Sequence, residues 1–230
     1  TSYKGTQAAD LENDSVKARH KVFQDYENLI PDGEFEQLPV GQTAEVAAEI
    51  TALWDVTGGT APTNFWTWAG ETETGGVSLV LDNLITGGDA VGAPPQLYIT
   101  TKDFIPVKAL KYLAWEIAIK TTDGSSTDGF YVRVLWYDKD KVLITPNYTD
   151  VIANGPIPSS FTSYEGFVQA LAGTKYCKFR VFLNSNADTR YLIIDRIFLR
   201  KAKGAELTVN GSLSLAKTDQ TAPSSATVSM

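Results

Sequence analysis

Short segments in which apolar and polar residues alternate recur along most of this chain, and turns rich in Gly and Pro, among them Gly155-Pro156, separate them. Successive side chains of a β-strand point to opposite faces, so a period of two predicts strands that bury one face. The predicted strands are residues 77–81, 97–101, 110–120, 130–137, 141–145, 161–168, 176–183 and 191–199. Many short strands without helices between them predict an all-β fold, an antiparallel β-sandwich of the jelly-roll type. Residues 43–53, rich in Ala and Glu, are predicted to form a short helix or an irregular insertion.

The composition excludes several functional classes. A single Cys cannot form an intrachain disulfide, and one Cys with one His cannot assemble a structural zinc site. A net charge of −7 argues against a nucleic-acid-binding protein, because phosphate contacts require clustered Lys and Arg. No apolar run approaches the roughly 18 residues that a membrane-spanning helix needs. The five Trp, ten Tyr and ten Phe residues remain to be explained.

Both ends of the chain differ from the strand-rich part. Residues 1–27 are predicted to form a helical segment, because residues 8–29 contain no Gly or Pro and show a weak 3-4 apolar spacing. A short, poorly amphipathic helix needs a partner, and self-association is the predicted one. Residues 28–203 are predicted to form the sandwich. Residues 204–230 are predicted to form a hairpin-like segment around Asn210-Gly211, followed by a polar tail that is disordered or joins another module.

Alternation assigns each side chain of a strand to one of two faces. The apolar faces of the long strands are predicted to form the sandwich core, which includes Trp115, Trp136 and Cys177. The opposite faces combine Tyr rings with charged groups. Their candidate ligand-binding residues are Tyr112, Glu116, Tyr131, Arg133, Tyr137 and Arg180.

Rings interleaved with hydrogen-bonding groups suit a ligand that is apolar on its flat side and hydroxylated at its rim. A sugar ring is such a ligand, because its C–H groups stack on an aromatic face while its hydroxyls bond to polar side chains. A packed interface with another domain or subunit accounts for the same pattern, since Tyr and Arg are enriched there too. The pattern therefore predicts either a carbohydrate-binding surface or a protein interface.

The sequence NLIPDGEFE at residues 28–36 resembles the opening N-L-I-x-[ND]-G-x-F-E of jelly-roll carbohydrate-binding modules. These modules accompany bacterial cellulases and xylanases and recur in phage tail-tip and tail-fibre proteins. Later segments follow in a similar order, namely a Trp-bearing segment at Trp66 and Trp68, a Ser-containing strand at 76–79, a Tyr-containing segment at 106–112 and YLIIDRI at 191–197. The resemblance covers about residues 28–200 and implies a non-catalytic carbohydrate-binding domain.

Modules of this kind often hold a structural calcium ion through the Glu that ends the opening motif and the Asp of the last strand. The resemblance therefore implies that Glu36 and Asp195 bind calcium, an ion that prefers six to eight oxygen ligands. Arg196 stands where the family commonly has a second acid. Its cation either weakens the site or replaces the metal by pairing with Glu36. In the alternative, Asp195 only pairs with Arg196 or caps a strand end.

The resemblance also implies that a polysaccharide or cell-surface glycan binds the concave sheet, at the Tyr-rich polar faces. Trp66 and Trp68 extend this surface as a stacking platform if they share a strand. A buried pair of core Trp residues is the alternative.

The segments on either side of the domain look like the surroundings of such modules in phage tail proteins, notably AELTVNG at residues 205–211. They favour a virion component that forms a homotrimer through residues 1–27. One alternative is an extracellular binding module of a polysaccharide-degrading enzyme. Another is a structural spacer or trimerisation domain without affinity for sugars.

Catalysis is not predicted. His20 lies outside the sandwich and Cys177 is predicted to be buried, so neither completes a nucleophilic couple. Two carboxylate pairs have the residue types of a glycosidase, but they lie in charge-rich, turn-like stretches and are predicted to be solvated loops. These pairs are Glu71 with Glu73 and Asp138 with Asp140.

Overall fold

The computed structural model of the protein describes residues 27–73, 75–83, 97–124, 126–183 and 191–202. The predicted N-terminal helical segment at residues 1–27 lies outside these ranges, apart from Glu27. The predicted hairpin and polar tail at residues 204–230 also lie outside them. Both assignments stay predictions.

The described residues form one helix and eleven strands. The helix is α1 (Ala44–Leu53), and the strands are β1 (Trp54–Thr57), β2 (Phe65–Trp68), β3 (Ser78–Asp82), β4 (Leu97–Thr101), β5 (Ile105–Pro106), β6 (Tyr112–Lys120), β7 (Ser126–Tyr137), β8 (Leu143–Ile157), β9 (Thr162–Gln169), β10 (Tyr176–Leu183) and β11 (Tyr191–Lys201). The first sheet has the order β2-β3-β11-β6-β9. The second sheet has the order β1-β4-β10-β7-β8, and β5 pairs with β10 beside it.

Each pair of neighbouring strands in the two sheets is antiparallel. Consecutive strands repeatedly change sheet, as in the step from β6 in the first sheet to β7 in the second. This connectivity is typical of jelly rolls, in which strands from both halves of the chain interleave. The prediction of an all-β antiparallel sandwich is confirmed.

The core lies between the two sheets and is built from the apolar faces that alternation identifies. On β6, residues 113, 115, 117 and 119 belong to it, and on β10 residues 177, 179, 181 and 183 do. Trp115, Trp136 and Cys177 are all buried, which confirms their assignment to the core. Trp136 is fully enclosed, and its Nε1 donates a hydrogen bond of 2.9 Å to Thr149 Oγ1, so its polar atom is satisfied.

Residues 43–53 take the helical alternative. Thr43 is the N-cap of α1, and its Oγ1 accepts a hydrogen bond of 3.2 Å from the Val46 backbone N–H. Val46 and Ile50, four positions apart on one face, are buried in the core. The helix ends where Trp54 adopts an extended conformation and begins β1, a strand that alternation did not predict.

The strand predicted at residues 141–145 is part of the much longer β8, which runs to Ile157. The predicted turn at Gly155 and Pro156 is therefore wrong. Gly155 is needed for packing, because a Cβ at this position would lie 2.8 Å from the ring of Phe130 on the neighbouring strand. A glycine inside a strand here marks a close approach of a ring to the backbone.

The N-terminal segment of the domain is bonded along β11. Leu29 N donates to Leu199 O at 2.7 Å, and Ile197 N donates to Gly33 O at 2.6 Å. Asn28 joins the two chains with its side chain: Nδ2 donates to Ile197 O at 2.8 Å, and Oδ1 accepts from Leu199 N at 3.1 Å. Oδ1 also accepts from Ile30 N at 3.1 Å. The opening motif therefore ties the start of the domain to its last strand.

We expect Asn28→Ala to lower the free energy of unfolding by about 2–3 kcal/mol, because three hydrogen bonds to partly buried backbone groups are lost at roughly 0.5–1.5 kcal/mol each. Urea denaturation followed by tryptophan fluorescence measures the change. Asn147→Ala is the matched control, since Asn147 is exposed on β8. Equal stability of the two variants would contradict this role of Asn28.

Candidate functional site

The predicted ligand-binding residues lie on two opposite faces of the sandwich. Tyr131, Arg133 and Tyr137 on β7 and Arg180 on β10 lie on the outer face of the second sheet. Tyr112, Glu116, Trp66 and Trp68 lie on the first sheet. The prediction of one continuous surface is therefore wrong. Alternation shows which side chains of a strand point away from the core, but not which sheet the strand joins.

The residues on the second sheet form a surface that we call the arginine–tyrosine face. It comprises Tyr98, Phe104, Tyr131, Arg133, Tyr137, Lys141, Tyr148, Tyr176, Lys178, Arg180 and Phe182. The register places these residues in rows that cross the sheet. Arg180 lies opposite Arg133, and Phe182 lies opposite Tyr131. A charged row therefore runs beside an aromatic row.

The aromatic row contains a stacked pair. The rings of Tyr131 and Phe182 lie 4.5 Å apart with planes inclined by only 3°. Phe182 is buried and Tyr131 is half-buried, so Phe182 supports the more accessible Tyr131 ring. The charged row lies against further rings. The Arg133 guanidinium stands 3.7 Å from the ring centre of Tyr148, and that of Arg180 stands 4.3 Å from the ring centre of Tyr98.

Hydrogen bonds hold the charged groups of the face in position. Arg133 makes a two-pronged ion pair with Asp150, with Nε–Oδ1 at 2.6 Å and Nη2–Oδ2 at 3.2 Å. Arg180 Nε donates to Thr100 Oγ1 at 2.8 Å, and Lys178 Nζ donates to Asp55 at 3.1 Å. The face therefore presents half-buried rings beside donors of fixed direction, an arrangement that can bind a ligand with an apolar surface and a polar rim.

A second group of rings lies at the other end of the same face. Phe104 packs edge-on against Tyr137 at 4.9 Å and against Tyr176 at 6.0 Å. Burial raises the pKa of the Tyr137 hydroxyl, with a smaller opposing effect of Arg180, so the phenol stays protonated and can donate a hydrogen bond. Lys141 Nζ lies 4.9 Å from the ring centre of Phe104.

The predicted ligand-binding residues leave out five rings of this face, namely Tyr98, Phe104, Tyr148, Tyr176 and Phe182. Three of them were within reach of the alternation rule, because Tyr98, Tyr176 and Phe182 occupy outward positions on strands that were predicted with the observed bounds. Tyr148 lies in the part of β8 that was not predicted. Phe104 lies between strands, where no periodicity exists to reveal it.

Trp66 and Trp68 share β2, as the stacking-platform hypothesis required. Their rings lie 5.3 Å apart with planes inclined by 39°, and Tyr191 packs against both at 6.2 and 6.3 Å. Both Trp side chains are half-buried, whereas their strand neighbours Phe65 and Thr67 are buried. The two Trp residues therefore form an aromatic corner on the outside of the first sheet, remote from the core and on the opposite side from the arginine–tyrosine face.

Glu116 is part of an ion-pair network. It is 6% exposed, and its Oε1 accepts a hydrogen bond of 3.0 Å from Arg196 Nε. Arg196 also pairs with Glu73 at 2.5 Å and donates to Ser163 Oγ at 2.9 Å. Burial lowers the pKa of Arg196, but Glu116 and Glu73 outweigh it and raise the pKa above its ordinary value. These contacts give Glu116 a structural role and leave it little exposed surface for a ligand.

Tyr112 lies at the end of the first sheet. It lines a cavity of about 400 Å³ together with Pro106, Lys108, Lys111 and Lys201. The cavity is separate from the arginine–tyrosine face, because none of its lining residues belongs to that face.

The two predicted calcium ligands approach one loop from different sides. The Glu36 carboxylate lies against the backbone of Gly76, and Asp195 Oδ1 accepts a hydrogen bond of 3.0 Å from Glu73 N. Asp195 occupies a β-bulge of β11, is 2% exposed, and lies 3.6 Å from Arg196. Arg196 pairs with Glu116 and Glu73 and not with Glu36, so the hypothesis that it replaces the metal by pairing with Glu36 is wrong.

The described residues contain no cluster of three or more His, Cys, Asp or Glu side chains arranged for a metal. A calcium ion between Glu36 and Asp195 would therefore depend on backbone carbonyl and water oxygens as well. Two carboxylates against one loop fit such a site in part, while the nearby Arg196 cation opposes it.

The residues considered for catalysis have structural partners. Glu71 pairs with Lys120, and Glu73 pairs with Arg196. Asp138 accepts hydrogen bonds from Asp140 N and Val142 N, each of 2.9 Å, and so shapes the turn between β7 and β8. No helix among the described residues combines the length and apolar character that crossing a membrane requires.

Comparison with known proteins identifies the fold. No protein-family model matches the sequence, and no curated protein matches it. The structure is similar to the CBM22-1 xylan-binding domain from Paenibacillus barcinonensis Xyn10C, with a TM-score of 0.50, 14% identity, and 77% of this chain and 96% of that chain covered. It is also similar to a family 16 carbohydrate-binding module, with a TM-score of 0.49, 17% identity, and 76% and 100% covered.

A third similar structure is the enzymatically active domain of bacteriophage CBA120 tailspike protein 4, with a TM-score of 0.48 and 12% identity. The alignment covers 76% of this chain but spans only 21% of the tailspike chain. At 14% identity, the similarity to the xylan-binding domain shows the fold alone. The chain has the sandwich fold of jelly-roll carbohydrate-binding modules, which confirms the fold that the sequence resemblance implied.

We expect Cys177 to resist thiol reagents in the folded protein, because burial raises the pKa of its thiol to about 12. The unfolded thiol ionises near pH 8.5–9. The contribution of Cys177 to stability is therefore complete below pH ~8.5 and is lost as the pH rises towards 12. A chromogenic disulfide reagent, added with and without denaturant, measures the reactivity, and Cys177→Ala supplies the blank. Rapid labelling of the native protein at pH ~8 would contradict the buried position.

Proposed function

We propose that this chain is a non-catalytic carbohydrate-binding module whose arginine–tyrosine face binds a glycan. The observation that carries the proposal is the stacked pair of Tyr131 and Phe182 beside Arg133, whose direction Asp150 fixes. A sugar packs its C–H groups against the accessible Tyr131 ring, while Arg133 and Arg180 bond to its hydroxyls. Tyr137, at the other end of the face, bonds to a further residue of the glycan chain. The fold shared with a xylan-binding domain supports the proposal.

The arginine–tyrosine face is a better candidate than the outer face of the first sheet. At the centre of the first sheet, the outward residues Val80, Ala118 and Ile193 are completely buried. The loop after β2 is held across this sheet by the ion pairs of Glu71 and Glu73. The centre of this face therefore offers a glycan chain no open platform, whereas Tyr131, Arg133 and Tyr148 leave accessible surface on the second sheet.

The proposal about the larger assembly that contains this module rests on the sequence. The segments that flank the domain favour a virion tail, with a cell-surface glycan as the ligand and a homotrimer formed through residues 1–27. A polysaccharide-degrading enzyme with an appended extracellular module is the alternative. In either setting, we propose that the domain binds its glycan without reacting with it. Cys177 is buried, Glu71 forms an ion pair with Lys120, and Asp138 accepts hydrogen bonds within a turn.

We further propose that calcium binds between Glu36 and Asp195 and ties the opening segment to β11. The support is that both carboxylates meet the same loop, at Gly76 and Glu73. The ion would supply positive charge to two carboxylates and so add to the backbone hydrogen bonds that already join the two chains.

We expect Tyr131→Ala combined with Arg133→Ala to weaken glycan binding at least tenfold, or about 1.4 kcal/mol, because the stacking ring and a fixed donor are both lost. A glycan array identifies the strongest ligand, and calorimetric titration then measures its affinity. Tyr112→Ala, on the other sheet, is the matched control and should bind normally. An unchanged affinity of the double variant, with an intact circular dichroism spectrum, would refute the proposed face.

We expect calcium at 100 times its dissociation constant to stabilise the fold by about 2.7 kcal/mol and a chelator to remove that increment. Thermal melting with and without the chelator measures it. Glu36→Gln should abolish the calcium effect, whereas Glu34→Gln, a control at an exposed acid two residues away, should retain it. Identical melting curves of the unsubstituted protein in calcium and in chelator would rule the site out.

A further inference from the structure

Two arginines lie directly opposite each other at the centre of the arginine–tyrosine face. Arg180 of β10 and Arg133 of β7 are register partners, and both side chains are half-buried. The Cβ atoms of such partners are about 5 Å apart, and like charges in this position destabilise a sheet. The arrangement therefore costs free energy of folding, which points to a role other than stability.

Within the part of the chain that the structure describes, a carboxylate neutralises Arg133 but not Arg180. Asp150 holds Arg133 with two hydrogen bonds, and Asp55 pairs with Lys178. Arg180 instead donates to the neutral hydroxyl of Thr100 and lies over the ring of Tyr98. Arg180 thus lies between two rows of rings without a carboxylate of its own, because Asp55, whose charge acts on it, is paired with Lys178.

Burial makes the charge of Arg180 costly. Burial is the main cause that lowers the pKa of Arg180, and the charge of Arg133 lowers it further, whereas Tyr98, Tyr137 and, least, Asp55 raise it. A guanidinium nevertheless keeps its proton throughout the physiological range. The group is therefore a partly desolvated cation, whose attraction to an anion is stronger than that of a fully solvated one.

Once Asp150 has paired with Arg133 and Asp55 with Lys178, the charge left on the face is positive. Lys141 adds to it and lies 4.9 and 5.9 Å from the ring centres of Phe104 and Tyr176. The whole chain carries a net charge of −7. Free cations gathered on one aromatic face of an acidic protein indicate charge complementarity with an anionic ligand.

Resting on the proposed function, we propose that the glycan is acidic and that Arg180 binds the carboxylate of a uronic acid residue. Arg180 and Phe182 are two positions apart on β10, so their side chains leave the same face about 7 Å from each other. A uronate ring stacked on Tyr131, opposite Phe182, brings its carboxylate next to the guanidinium. The planar fork of Arg matches the two oxygens of a carboxylate better than a single hydroxyl.

The test compares each ligand with its own uncharged form. Polymers of galacturonate, glucuronate and mannuronate are titrated as free acids and as methyl esters, beside neutral xylan and glucan. The ester keeps the ring and its stereochemistry and removes only the charge. We expect at least one free acid to bind at least tenfold more tightly than its ester, and this preference to shrink in about 1 M NaCl, where charges are screened beyond roughly 3 Å.

Three variants assign the preference to Arg180. Arg180→Gln should bind acid and ester equally and should melt no lower than the unsubstituted protein, because the repulsion with Arg133 is relieved. Arg180→Lys keeps the charge without the fork and should retain part of the preference. Lys108→Gln removes an exposed cation that lines the separate cavity at Tyr112 and should leave the preference unchanged.

The outcomes separate this inference from the proposed function. Equal binding of acids and esters, or binding of neutral polymers alone, would overturn the acidic ligand and leave the carbohydrate-binding face standing. An acid preference that survives Arg180→Gln would overturn the role of Arg180. Failure to bind any polymer of the panel would count against the carbohydrate-binding function itself.

Discussion

The pairing of β10 with β7 is the interaction on which the rest of the domain depends. It joins eight consecutive residues of each strand without a break in register. The register sends Phe179, Val181, Val132 and Val134 into the core and sends the arginines and tyrosines outward. A slip by one residue would exchange the two sets and place Arg133 among the core side chains, at a cost no sandwich of this size tolerates. Stability and the composition of the outer face are thus set by the same register.

The two outer faces of the sandwich use charge in different ways. On the first sheet, Arg196 lies between Glu116 and Glu73, and Lys120 pairs with Glu71, so opposite charges meet and hold a loop in place. On the second sheet, Asp150 and Asp55 pair with Arg133 and Lys178, but Arg180 lies over a ring and faces another arginine. The first arrangement stabilises the fold by itself, whereas the second leaves positive charge directed at solvent. This contrast supports the proposal that the second sheet binds the ligand.

The sequence was sufficient to predict the sandwich, its core and the outward residues of the strands that alternation identified, because these depend on the period of two. It could not show that Glu116 and Arg133 lie on opposite sides of the molecule, because sheet membership depends on long-range pairing. It also placed a turn at Gly155, where glycine instead makes room for the ring of Phe130. Glu116 was predicted as a ligand for sugar, because nothing in its own strand indicated that Arg196 would lie beside it.

The support that each side chain of the arginine–tyrosine face receives has an entropic consequence. Tyr131 is stacked on Phe182 with nearly parallel planes, and Arg133 is held both by Asp150 and by the ring of Tyr148. Such side chains have lost most of their rotamer freedom before any ligand arrives, so association does not have to immobilise them. These side chains are already ordered in the folded protein. A glycan that meets this surface therefore loses mainly its own freedom, and a stiff polymer would lose the least.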